Sequence, residues 1–80
     1  MRAYVFIETK VGMARRVAER LDALNLTLGR VLTVDTVTGP FDIIAVVEGA
    51  DTEGIGRAIA EELHKINGVE KTMSCFALGS

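Results

Sequence analysis

Tryptophan is missing from this chain of 80 residues, and aromatic side chains make up only 5% of it. Proline, cysteine and histidine occur once each, as Pro40, Cys75 and His64. Each scarcity excludes something. A single cysteine forms no internal disulfide, and Cys75 has no Cys or His neighbour at metal-ligand spacing. A reducing, cytoplasmic compartment is the expected setting. There is no run of Lys or Arg, and the formal net charge is −2. Direct DNA binding, which needs a basic stripe against the phosphates, is therefore not expected. No apolar stretch has the length that crosses a bilayer. The opening "MRAYVFIE" becomes strand-like at once and has no small-residue cleavage site, so neither a membrane nor a signal peptide is expected. The residues require no cofactor.

What is present has an ordinary globular balance, 49% hydrophobic and 25% charged. Residues 1–80 make one small domain, in which folding buries only about two-thirds of the unfolded surface. "RAYVFIE" alternates as a strand, with Tyr4 and Phe6 on one face and Val5 and Ile7 on the other. From about Gly12 the period becomes helical: Ala14, Val17, Ala18, Leu21 and Leu24 form the apolar side, and the helix is expected to end near Leu24-Asn25. "NLTLGR" is an irregular connection. Val31 to Thr38 is a second strand, interrupted by Gly39-Pro40, where a proline without an amide hydrogen forces a turn. Ile43 to Glu48 is a third strand. Asp51 or Thr52 caps a second helix whose stripe is Ile55, Ile59, Leu63 and Ile66, and Asn67-Gly68 ends it. "VEKTMSCFAL" is the last strand, and Gly79-Ser80 is a loose tail.

The order strand, helix, strand, strand, helix, strand predicts an α+β, ferredoxin-like βαββαβ sandwich: a four-stranded antiparallel sheet with both helices on one face. The first and third strands, the most apolar, fall at the centre. The charged second and fourth strands fall at the edges. The helices cover only one face, so every second residue of "YVFI" and "IIAVV" needs another cover. A second copy packed face to face, as in a dimeric α/β barrel, is the expected one.

Chemistry-bearing residues are few. Asp42, after Gly39-Pro40-Phe41, is either a turn carboxylate that accepts backbone N–H bonds or a polar group aimed into a pocket. His64 lies off the helix stripe and is expected on a solvated face. Cys75 is expected to be a buried small hydrophobe. Glu8, Asp35 and Glu48 offer a carboxylate pair only if the strands bring them together. "GADTEGIG" fits neither the phosphate-binding nor the dinucleotide glycine pattern. Thr72 and Ser74 share one side of the last strand with Phe76, either as solvated edge residues or as two hydroxyls presented to a ligand.

The succession "AYVFIETKVG", amphipathic helix, "VDTVTGPFDIIAVVE", second helix, "INGVEKTMS" resembles the effector-binding (RAM) domain of the Lrp/AsnC transcription regulators. The most specific parts are Thr38-Gly39-Pro40-Phe41-Asp42 and Ile66-x-Gly68-Val69 leading to Thr72-x-Ser74. Two features depart from the family: no helix-turn-helix domain precedes the first strand, which suggests a stand-alone module, and "NLTLGRV" is longer than the usual turn. The resemblance implies homodimers formed through the open sheet faces and assembled into an octamer or decamer. It also implies an amino-acid effector bound between dimers by Thr38, Gly39, Pro40, Phe41 and Asp42 with the hydroxyls of Thr72 and Ser74, and no metal or catalytic residue. Full-length Lrp/AsnC regulators are candidate partners. Two other classes compete: a small dimeric α/β-barrel enzyme of the monooxygenase or isomerase type, and a purely structural oligomeric module. An acylphosphatase is disfavoured because no Gly-rich, Arg-bearing loop follows the first strand.

Overall fold

The computed structural model describes residues 1–79; Ser80, half of the expected tail, lies outside the described residues. Strand β1 spans Arg2–Thr9, helix α1 Ala14–Asp22, β2 Arg30–Thr36, β3 Ile43–Glu48, α2 Thr52–Ala58 and β4 Val69–Phe76. Between α2 and β4 the helix continues as a π-helical turn over Ile59–Leu63. The sheet is antiparallel in the order β2-β3-β1-β4, so the two most apolar strands are central, as the sequence predicts.

Alternation sorts each strand between two faces. Ala3, Val5 and Ile7 of β1 and Ile43, Ala45 and Val47 of β3 are fully buried. They pack with Val17 and Leu21 of α1 and with Ile55, Ile59 and Leu63 of the second helix in one core. Each of the larger aliphatic side chains contributes about 1.5–3 kcal/mol by leaving water. The opposite face carries Tyr4 and Phe6 from β1, Ile44 and Val46 from β3, and Met73 and Cys75 from β4. No helix covers it: Tyr4 is 37% exposed and Met73 49%. Cys75 is exposed rather than buried, a correction to the sequence reading. Its alternation with Met73 was legible, but it sits on the uncovered face rather than against the helices.

Several boundaries differ from those expected. Helix α1 stops at Asp22, with Ala23 as its C-cap and the Leu24 amide closing a tighter turn on the Leu21 carbonyl at 3.2 Å. The longer connection that follows is tied down by Glu62, whose carboxylate accepts the Thr27 amide and hydroxyl at 3.1 Å. Strand β2 ends at Thr36 rather than Thr38, because the Val37 amide turns to the Asp42 carbonyl at 2.9 Å and closes the hairpin loop. The last strand ends at Phe76 rather than Leu78. Asp51 is the N-cap of α2, its carboxylate accepting the Gly54 amide at 2.7 Å. Gly68 has φ +106°, and a Cβ there would meet the Met13 and Val17 side chains at 2.9 Å. Glycine is thus required on both backbone and packing grounds where the second helix gives way to β4.

Candidate functional site

The turn that joins β2 to β3 is held from both sides. The Asp42 amide donates to the Ile7 carbonyl at 2.9 Å, which anchors the turn to β1. The Asp42 carboxylate accepts through Oδ2 from the Thr9 amide at 2.8 Å and the Thr9 hydroxyl at 3.2 Å. Thr9 is the buried polar residue at the end of β1, beside a register shift between Glu8 and Thr9. There the β1–β4 ladder loses its regular partner, and the carboxylate supplies one. Both readings of Asp42 are thereby sharpened. It does accept a backbone N–H, but from a neighbouring strand rather than its own turn, and every hydrogen bond to its carboxylate among the described residues goes to Oδ2 alone.

Gly39 has φ +143°, with open space where a Cβ would stand. The requirement for glycine is therefore conformational, and it leaves the backbone of the turn bare. Phe41 folds onto Phe6, ring centroids 5.5 Å apart and tilted by 51°, a favourable aromatic arrangement. Phe6, Val37, Thr38, Pro40, Phe41 and Ile44 line an apolar cavity of about 560 Å³ on the uncovered sheet face, closed on the far side by Met73 and Cys75.

Thr72 and Ser74 stand elsewhere. They pair across the ladder with Ile7 and Val5, whose side chains face the helices. With His64 of the second helix and Phe76 they line a separate hollow of about 410 Å³. The structure thus gathers Thr38, Pro40 and Phe41 at one cavity, holds Gly39 and Asp42 in the same turn, and sets Thr72 and Ser74 on the opposite side of the sheet. His64 is exposed, as the sequence suggested, but it also borders this hollow. Sequence reasoning missed that placement, since the distance between a helix and an edge strand leaves no local signal.

The three carboxylates considered for acid–base work are kept apart. Glu8 lies opposite Lys71, Asp35 opposite Ile44, and Glu48 opposite Arg2 and Arg30. Glu48 is engaged by Arg30 at 3.2 Å. Among the described residues, no three His, Cys, Asp or Glu side chains are grouped so as to hold a metal ion. No helix among them is long and apolar enough to cross a membrane.

Solved structures share this architecture. TTHA0845 from Thermus thermophilus is 26% identical over 99% of this chain and 94% of its own, with a TM-score of 0.85. AsnC of E. coli has a TM-score of 0.86 at 15% identity, matched over 99% of this chain and 51% of its own. The transcriptional regulator NMB0573 from Neisseria meningitidis, solved in complex with L-Met, has a TM-score of 0.81 at 20% identity, over 98% of this chain and 49% of its own. No curated protein sequence matches the chain. The model of the Lrp/AsnC ligand-binding domain matches residues 2–80, and with the βαββαβ fold and the Gly39-containing turn before β3 it makes this chain a member of that family.

Proposed function

We propose that the protein is a non-enzymatic, oligomeric sensor of a small amino acid, whose binding site is completed between protomers. The observation that carries this reading is the separation just described. The turn with Thr38, Gly39, Pro40, Phe41 and Asp42 opens on one side of the sheet, and the Thr72 and Ser74 hydroxyls on the other. A single small molecule reaches both sets only if they come from two chains. Homodimers form through the uncovered sheet faces, and dimers associate into a larger ring, an octamer or decamer, that brings the turn of one dimer to the hydroxyls of another. The chemistry suits a zwitterion. The bare backbone of the turn and the unused Oδ1 of Asp42 accept from an ammonium, and the cavity edged by Phe6 and Phe41 receives an apolar side chain. Family membership supports the amino-acid class, and L-methionine, the ligand of the Neisseria regulator, is the first candidate.

The protein acts through other chains rather than on DNA itself, in keeping with its net charge of −2. Full-length Lrp/AsnC regulators are the proposed partners. The decisive experiment is a thermal-shift screen against the common amino acids, because a ligand that binds only the folded state raises its melting temperature. Calorimetry with the best ligand then compares wild type with Asp42→Asn. Asparagine keeps an acceptor for Thr9 and removes the charge offered to an ammonium, so affinity should fall roughly tenfold. Equal affinities would move the ammonium site away from the turn. A gel shift at physiological salt should show no binding of the isolated protein to DNA, and tight sequence-specific binding would overturn that part of the proposal.

A further inference from the structure

The hollow beside β4 is built differently from the cavity at the turn. The His64 amide bonds the Ile59 carbonyl at 2.8 Å, five residues back, as a π-helical turn requires. An α-helical continuation would rotate the imidazole around the helix axis, away from its present position over the strand. Such turns commonly re-aim a side chain at a functional site. Across the hollow stand Thr72 and Ser74, both half-buried. Among the described residues, neither hydroxyl and neither imidazole nitrogen has a hydrogen-bond partner. The wall contains no carboxylate. Of the charged groups nearby, Glu61 is engaged by Arg57 at 3.5 Å, Lys65 follows His64 on its own element, and Glu70 precedes Thr72 by two residues on β4.

Two hydroxyls and an imidazole, all free to donate and with no acid among them, complement an anion with two oxygens. We propose that this hollow is a carboxylate subsite, in which His64, Thr72 and Ser74 donate to the oxygens of a small organic acid. That the acid is the α-carboxylate of an amino-acid effector rests on the function proposed above. In that case the carboxylate lodges here, and the ammonium is left for the turn of the second protomer.

The single histidine makes the test direct, since the protein gives one imidazole signal in proton NMR. Sodium propionate is the probe, titrated against sodium chloride at equal ionic strength. The His64 signal should move saturably with propionate. Binding should be roughly tenfold tighter at about pH 5.5 than at about pH 8.5, because an imidazolium adds a charge-assisted bond. The double variant Thr72→Val/Ser74→Ala should bind roughly tenfold more weakly, and Ser74→Ala alone, which adds no bulk, gives the same direction if the double variant does not fold. A His64 signal that propionate moves no more than chloride does overturns the subsite, as does a folded variant that binds as tightly as the parent. The effector reading has a separate readout. If no amino acid raises the melting temperature, that reading fails while the propionate titration still decides the subsite. If one does, its methyl ester should leave the His64 signal unmoved, and an ester that moves it as the free acid does overturns the α-carboxylate assignment.

Discussion

Asp42 is a single side chain that joins two parts of the molecule 33 residues apart in sequence. Its Oδ2 is the acceptor for a buried amide at the end of β1, so truncation has a structural effect before any effect on binding. Asp42→Ala should lower stability by about 1–3 kcal/mol, the cost of leaving a buried donor unpaired. Asp42→Asn should lose less, and urea denaturation of the pair separates the two. At Gly39 the effect is purely conformational: φ of +143° strains any residue with a Cβ, and Gly39→Ala should cost on the order of 1–2 kcal/mol with no clash to relieve it. Gly68→Ala should cost more, since strain is joined there by contacts of 2.9 Å with Met13 and Val17. The glycine requirement at both turns was legible in sequence, because Gly-Pro and Asn-Gly dipeptides sit between apolar runs. The Asp42–Thr9 bond was not, because it depends on a register shift that no local pattern encodes.

The strands were the most legible elements, since a two-residue period leaves little freedom. "IIAVV" has apolar residues on both faces, and the structure buries Ile43, Ala45 and Val47 while leaving Ile44 and Val46 on the uncovered side. The second helix was legible as an apolar stripe but not in its winding. Ile55, Ile59 and Leu63 recur at spacings of four that an α-helix and a π-helical turn both accommodate, and the wider turn is resolved only by packing on the sheet. The position of His64 follows from that turn, which is why the hollow beside it escaped the sequence. Helix α1 is anchored by Val17 and Leu21, both fully buried, and has no side-chain cap at its start. Leu21→Ala should therefore cost about 2–5 kcal/mol, read as a lower urea midpoint. The exposed Asp51 cap on α2 should matter less, about 1 kcal/mol for Asp51→Ala.

For the whole molecule, the question is what stabilises so small a chain. Exposed ion pairs do little: Arg30–Glu48 and Arg57–Glu61 both lie in solvent, where such pairs contribute about 0–1 kcal/mol. Melting temperatures in low and high salt should therefore be close. A face-to-face partner offers more, because Tyr4, Phe6, Val46 and Met73 all stand on the uncovered sheet. Val46→Glu, opposite Tyr4 in the ladder, places a charge at the centre of that face and should yield a folded monomer where the parent is a dimer. Light scattering with circular dichroism checks both halves, and a parent that is monomeric at micromolar concentration would refute the dimer.

The bond from Thr9 to Asp42 has one more consequence. Most amides in the middle of a sheet exchange with deuterium only when strands separate, but the Thr9 amide is shielded by a side chain that swings on a loop. Its exchange rate therefore reports the ordering of the β2–β3 turn rather than the opening of the sheet. A molecule that settles into that turn should slow exchange at Thr9 while leaving the amides of Val5 and Ala45 unchanged, so that one backbone proton serves as an occupancy gauge in the unmodified protein.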